Sequence, residues 1–161
     1  MNMAAVFKFT NAVCKSYNES WVTIGHCRLR AISREKTVAN INVTVHHPAE
    51  DIFVRIQVLK KASGYKPWII DSTLDACAFM RKNNQPVAKI VYGLIKDKST
   101  INHTCPYVGL QQVKDFYLKP DLLPLPLPTG EYALFMTWIF SGKPQFETNI
   151  YFTFAEDLIK Q

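Results

Sequence analysis

The sequence predicts a mainly β protein: an antiparallel β-sandwich with one or two helices inserted at about residues 75–97. Three observations carry this prediction. Apolar and polar residues alternate along several segments, as in strands with one buried face. Turn residues separate those segments through the first half of the chain at roughly the 8–12-residue spacing of sandwiches and barrels. Between 75 and 97 the alternation stops and apolar residues recur at helical spacing. The chain has 161 residues, 48% hydrophobic and 20% charged. Those values suit a single domain over 1–161 with its own core and exclude a disordered tail. No repeat or linker divides it.

Residues 6–9 read as a short strand. In residues 27–33 (CRLRAIS), Leu29 alternates with Arg28 and Arg30. Residues 38–45 (VANINVTV) put Ala39, Ile41, Val43 and Val45 on one face and Asn40, Asn42 and Thr44 on the other. His46, His47 and Pro48 then predict a turn. Residues 52–59 follow, with Ile52, Val54, Ile56 and Val58 facing one way. A hairpin loop is expected at 60–64, where Gly64 supplies positive φ, and a strand at 65–72. These strands read as an antiparallel meander.

Residues 75–82 (DACAFMRK) do not alternate and stop at Asn83 and Asn84. Residues 86–97 set Val87, Ile90, Val91, Leu94 and Ile95 at helical spacing, with Lys89 and Lys96 opposite. Pro86 fits a first helical turn, where a missing N–H costs nothing. Residues 102–107 read as a loop and 120–130 as extended and irregular. Residues 131–140 and 145–154 flank a turn at 141–144 and form the strongest hairpin signal.

The 131–140 strand is apolar on both sides. Tyr132, Leu134, Met136, Trp138 and Phe140 fill one face; Ala133, Phe135 and Ile139 fill much of the other. Such a strand is covered on both sides or borders a cavity. In one reading helix 86–97 covers its outer face and the second sheet fills the inner one. In the other the inner faces do not close, and a hydrophobic ligand fits between them. Facing alone nominates Val54, Ile56, Val58, Leu134, Met136, Trp138, Ile150 and Phe152 as lining residues.

Four cysteines, Cys14, Cys27, Cys77 and Cys105, have neither zinc-knuckle nor redox-dithiol spacing. They allow three disulfide pairings. Proximity favours Cys14–Cys27 and Cys77–Cys105, although sequence alone does not choose. Three N-glycosylation sequons begin at Asn18, Asn42 and Asn102, none with a central proline. Cysteines and sequons together point to an extracellular, secreted protein. The first residues, MNMAAVFKFTN, hold an apolar stretch broken by Lys8 and too short for a secretory leader, so no signal peptide is read there and the start is taken as an incomplete N-terminus.

No enzyme, metal or cofactor is expected. There is no Gly-rich phosphate loop, and the acidic residues are scattered. His46 and His47, as neighbours, would face opposite ways on a strand. His26 beside Cys27 and His103 near Cys105 would suggest a Cys–His nucleophile only if those thiols were free. The net charge of +6 comes from the first two thirds of the chain. Its basic residues read as spread over strand faces, turns and the helix, so nucleic acid is not an expected partner. Weak attraction to anionic membranes or acidic glycans is the functional alternative to a solvated surface. The Leu-Pro alternation at 123–128 lacks a P-x-x-P motif, and no apolar run is long enough to span a bilayer.

Three blocks then stand out: GYKPWIIDSTLDACAFMRKNNQP (64–86), INHTCPY (101–107) and LPLPTGEYALF (125–135). Together with the upstream pair Cys14 and Cys27, they resemble a large family of secreted fly proteins of unknown function, over roughly residues 6–154. That family is distantly similar to ML-type lipid-recognition domains, the ganglioside activator protein among them, and to CheB-type chemosensory proteins. The resemblance implies an ML/immunoglobulin-like sandwich, disulfide-bonded and non-enzymatic, with all four cysteines structural and no catalytic residue. The expected function is extracellular binding of a lipid or small hydrophobic ligand between the two sheets, in chemosensation or pheromone response. The alternative is a secreted interaction module with a filled core that docks on an extracellular receptor.

Overall fold

A computed structural model describes residues 4–82, 84–119 and 127–157. Its elements are β1 (Ala4–Ser16), β2 (Val22–Ala31), β3 (Thr37–Ala49), β4 (Ile52–Ala62), β5 (Gly64–Asp75), α1 (Ala76–Lys82), α2 (Pro86–Ile95), a 3₁₀ turn (Lys96–Lys98), β6 (Tyr107–Phe116), β7 (Gly130–Phe140) and β8 (Lys143–Asp157). The strands form a five-stranded sheet, order β1-β8-β7-β4-β5, and a three-stranded sheet, order β2-β3-β6. Every named pairing is antiparallel. The protein is a mainly β sandwich with two short helices, as the alternation predicts.

The topology is not the expected meander. β2 pairs with β3 and β4 with β5, but β1 pairs with β8 and β3 with β6. The chain changes sheet between β1 and β2 and again at residues 50–51. Alternation fixes which face of a strand is apolar but not which sheet receives it. Placing successive hairpins in opposite sheets sets their apolar faces against each other, and the core forms there.

His46, His47 and Pro48 lie within β3 rather than in a turn. The His46 N–H donates to the Trp21 carbonyl, and the Trp21 indole Nε1 donates to the His47 carbonyl at 2.9 Å. The pairing with β6 skips from Val45 to Ala49, so an irregularity absorbs the histidines and proline without ending the strand. β6 itself was not expected from the sequence. The turn between β4 and β5 has Gly64 at φ 94°, the left-handed region that glycine favours. Residues 120–126 of the segment expected to be irregular lie outside the described residues.

The two sheets approach most closely along β1 and β2. That edge is tied by the Cys14–Cys27 disulfide, and Ser16 Oγ donates to the Val22 carbonyl at 2.6 Å. Inward residues of β1 here are small: Ala12, Cys14 and Ser16 follow a bulge that skips Thr10. The opposite edges belong to β5 and β6, and the chain between those two strands is the helical segment. The Asp75 carboxylate caps α1 by accepting from the Ala78 N–H, and Gln85 caps α2 by accepting from the Ala88 N–H, with Pro86 in the first turn. Residues 99–100 then run along β6, where Ser99 pairs with Val113 and the Thr100 N–H donates to the Gln112 carbonyl. The Cys77–Cys105 disulfide joins the start of α1 to the loop before β6.

The helices therefore plug one side of a wedge. This corrects the reading that helix 86–97 covers the outer face of β7. Ala88, Val91, Tyr92, Leu94 and Ile95 instead face the space shared with Leu134, Met136 and Trp138, on the inner side of the large sheet.

Candidate functional site

The core has two centres. At one end Phe7, Phe9, Phe116, Tyr132, Phe152 and Phe154 make ring contacts across β1, β6, β7 and β8. At the other, Val22, Val45, Ile52, Tyr107, Phe140 and Phe146 pack together. Between them lies a cavity of about 190 Å³. The large sheet contributes Val54 and Ile56 from β4, Leu134, Met136 and Trp138 from β7, and Ile150 from β8. The small sheet contributes Ile41 and Val43 from β3 and Val113 and Phe116 from β6. The plug contributes Ala76, Phe79, Ala88, Val91 and Leu94.

Six of the eight residues nominated by facing, Val54, Ile56, Leu134, Met136, Trp138 and Ile150, thus border the cavity. Val58 and Phe152 do not. They sit in the filled part of the core with Tyr132, whose ring stacks on Phe152. The helical and small-sheet walls were missed. Their signal was present in the apolar spacing of 86–97 and in the alternation of 38–45, but sequence does not say that these faces meet the same space.

The cavity wall is apolar, and the polar groups in it are largely bonded among themselves. Trp138 Nε1 donates to Thr148 Oγ1 at 3.1 Å, and the Tyr92 hydroxyl donates to the Ile101 carbonyl at 2.7 Å. The Tyr107 hydroxyl donates to the His103 carbonyl, and its ring stacks on His103. Burial pushes the Tyr107 phenol above the usual tyrosine value, a shift that the bond to His103 opposes. Burial likewise raises Tyr132, whose hydroxyl donates to the Pro128 carbonyl. Groups committed in this way leave little polar surface to a ligand, although Gln111 and Gln112 of β6 also border the cavity. Apolar burial is what the site offers.

All four cysteines are in disulfides, so neither His26 nor His103 faces a thiol. Among the described residues, no three His, Cys, Asp or Glu side chains gather closely enough to hold a metal ion. No helix among them is long and apolar enough to cross a membrane.

The three sequon asparagines lie on or beside the small sheet, outside the cavity. Asn18, in the β1–β2 turn, accepts at Oδ1 from the Ser20 N–H and Oγ. Asn102 is exposed in the loop before β6. Asn42 is half-buried on the outer face of β3. Its Oδ1 lies 2.4 Å from where a Cβ on Gly25 would stand, and Gly25 is the residue skipped in the β2 register.

Fold and site together define a β-sandwich stapled by two disulfides, with an apolar cavity under a helical plug. The chain belongs to the family described as a protein of unknown function, DUF1091, whose sequence model matches residues 54–134. No curated protein matches the chain. The matched stretch runs from one cavity residue, Val54, to another, Leu134. It takes in the plug, its disulfide and β6, and leaves out the closed β1–β2 edge.

Proposed function

We propose that this is an extracellular, non-enzymatic binding protein that holds a small hydrophobic molecule or a lipid chain between its sheets, with a role in chemosensation. The observation that carries the reading is the apolar cavity of about 190 Å³, bordered by both sheets and both helices. That volume is about six times the ~30 Å³ share of one liquid water. It lies below the roughly 300–1,000 Å³ of pockets that enclose drug-sized ligands. It suits one ring or a short chain, and a long lipid would need the plug to move. A ligand burying about 200 Å² of apolar surface gains about 5 kcal/mol before ordering costs, which is sub-millimolar binding at best. The two disulfides and the exposed sequon at Asn102 support the extracellular setting.

Native mass spectrometry of protein purified from its own tissue tests this reading. The expected result is an apolar mass of a few hundred daltons or less, retained or taken up when a fatty acid or short hydrocarbon is added in excess. Protein that carries nothing, and takes up neither fatty acids nor short hydrocarbons, overturns it. Four alkylatable cysteines in the native protein would overturn the extracellular assignment. A second reading, a receptor-docking module, draws on Val108 and Leu110, which are 51% and 55% exposed on the outer side of β6. Binding of a receptor by a protein whose cavity stays empty would favour it.

A further inference from the structure

Beyond the cavity, one cluster is unexplained by the fold. The Tyr117 ring, just past the end of β6, has three ammonium groups around it. Lys36 Nζ lies 4.0 Å from the ring centroid, Lys119 Nζ 5.5 Å and Lys98 Nζ 5.7 Å. The three lysines come from separate segments: the β2–β3 loop, the 3₁₀ turn after α2, and the chain following β6. Lys36, Lys98 and Tyr117 are half-buried. Among the described residues the ion pairs are Arg30–Asp115, Arg55–Asp71 and Lys61–Glu131, and none involves this cluster. Glu35 and Asp97, neighbours of Lys36 and Lys98 in sequence, form no ion pair with it, and Asp121, two residues after Lys119, lies outside the described residues.

Cation–π attraction offsets part of the mutual repulsion of three such charges, but a single ring carries no net charge to neutralise them. An anion would. The position of the cluster says which kind. Phe116 and Ile95 border the cavity. Tyr117 follows Phe116 directly, and Lys98 follows Ile95 by less than one turn of helix. Ala39, three residues after Lys36, pairs with Phe116. The cluster therefore adjoins, in sequence, residues that border the apolar space near where β6 and the end of α2 meet, although none of its four members lines that space.

We infer that the Tyr117 cluster is the head-group site of the ligand, which is an anionic amphiphile: a carboxylate or phosphate head among Lys36, Lys98 and Lys119, and a short apolar tail in the cavity. This rests on the cavity-binding reading proposed above and adds a charged handle to a largely apolar interior. Three cations that form no ion pair among the described residues attract either head. The small cavity sets the tail length.

Titration calorimetry at low salt tests it with three ligands of one tail, octyl phosphate, octanoate and octan-1-ol, and with inorganic phosphate alone. Both anionic amphiphiles should bind roughly tenfold more tightly than the alcohol, and the gap should narrow as salt screens the exposed charges. The variant Lys36→Gln/Lys98→Gln/Lys119→Gln should lose that preference while keeping its affinity for octan-1-ol. If the triple variant fails to fold, Lys36→Gln alone should reduce the preference, because its ammonium is nearest the ring. Inorganic phosphate should bind weakly and compete with octyl phosphate. Equal binding of alcohol and anions overturns the head-group assignment and leaves the cavity reading standing. Inorganic phosphate binding as tightly as octyl phosphate overturns it too, since the tail would then contribute nothing. No binding of any tailed ligand overturns both readings.

Discussion

Enlarging Ala88 to leucine distinguishes a hollow core from a filled one by the sign of its effect. Ala88 is 7% exposed, sits in the first turn of α2 and borders the cavity. Ala88→Leu adds three carbons. If each takes about the ~30 Å³ share of a water, they fill roughly 90 Å³, within the 190 Å³ present. Burying them gains about 0.8 kcal/mol each, roughly 2.4 kcal/mol in total. Fixing the leucine rotamer costs about 0.5–1 kcal/mol, and helix propensity changes by only about 0.2 kcal/mol. The expected outcome is a gain of about 1.5 kcal/mol. In a filled core the same change would cost about 1–3 kcal/mol.

Ala133→Leu is the matched control. Ala133 is 0% exposed, lies on the opposite face of β7 between Leu59 and Tyr151, and does not border the cavity. It should lose about 1–3 kcal/mol. Urea unfolding measures both, with the slope m unchanged if only stability has moved. Ala88→Leu should also weaken binding of any tailed ligand. A loss of 1 kcal/mol or more in Ala88→Leu, comparable to that in Ala133→Leu, would refute the cavity.

Further predictions concern the staples, the small sheet and the titrating groups. Replacing both Cys77 and Cys105 by alanine should cost about 3.5 kcal/mol by loop closure and increase binding of a hydrophobic dye, because the plug is freed. The same change at Cys14 and Cys27 should cost about 3 kcal/mol. Gly25→Ala should cost about 1–3 kcal/mol in thermal unfolding, since its Cβ would stand 2.4 Å from Asn42 Oδ1. After secretion from eukaryotic cells, Asn102→Gln should remove one glycan mass, because Asn102 is an exposed sequon residue. The Tyr107 and Tyr132 phenols lie above their ordinary value of 10.0 in the folded protein. Their contribution is whole below that value and is lost as pH rises through the raised folded values, so a pH series of urea midpoints should fall on the alkaline side. Asp71 is lowered below 3.8, first by its hydrogen bond from Arg55. Its contribution is present above 3.8 and lost as pH falls through the lowered folded value, and Arg55→Gln should move the acid limb only slightly because the pair is exposed.

Strands with unbroken alternation were legible in the sequence. β4 and β7 read correctly because Val54, Ile56 and Val58, and Leu134, Met136 and Trp138, keep period two against each other in register. β1 was read too short because the bulge at Thr10 resets the phase, and the inward residues after it, Ala12, Cys14 and Ser16, are small or polar. β6 was invisible for a related reason. Gly109, Gln111 and Gln112 interrupt any apolar face, and exposed Val108 and Leu110 point the wrong way. Pairing partners lay beyond reach because β1 meets β8 from the other end of the chain. Six of the eight nominated lining residues lie at the cavity. Val58 and Phe152 lie beyond it because facing gives the side of a sheet but not the depth along it. The void itself is a difference between the volume the wedge encloses and the volume its side chains fill, and no single residue encodes that.

The location of the void follows from how the wedge is built. At the β1–β2 edge, small inward residues and a disulfide hold the sheets together. At the other edge the sheets must stand apart, because a helix about 10 Å thick lies between them. A helix fills such a gap only where its inward side chains are long. Ala76 and Ala88 are not, and they face the cavity from the first turns of α1 and α2. The Cys77–Cys105 bridge restrains the plug beside Ala76 by tying the start of α1 to the loop before β6. Small residues on the plug, a covalent restraint beside one of them and the Tyr117 lysines, which form no ion pair among the described residues, fall on the same side of the sandwich. A filled core would require none of the three there, and a binding site open to one side would use all of them.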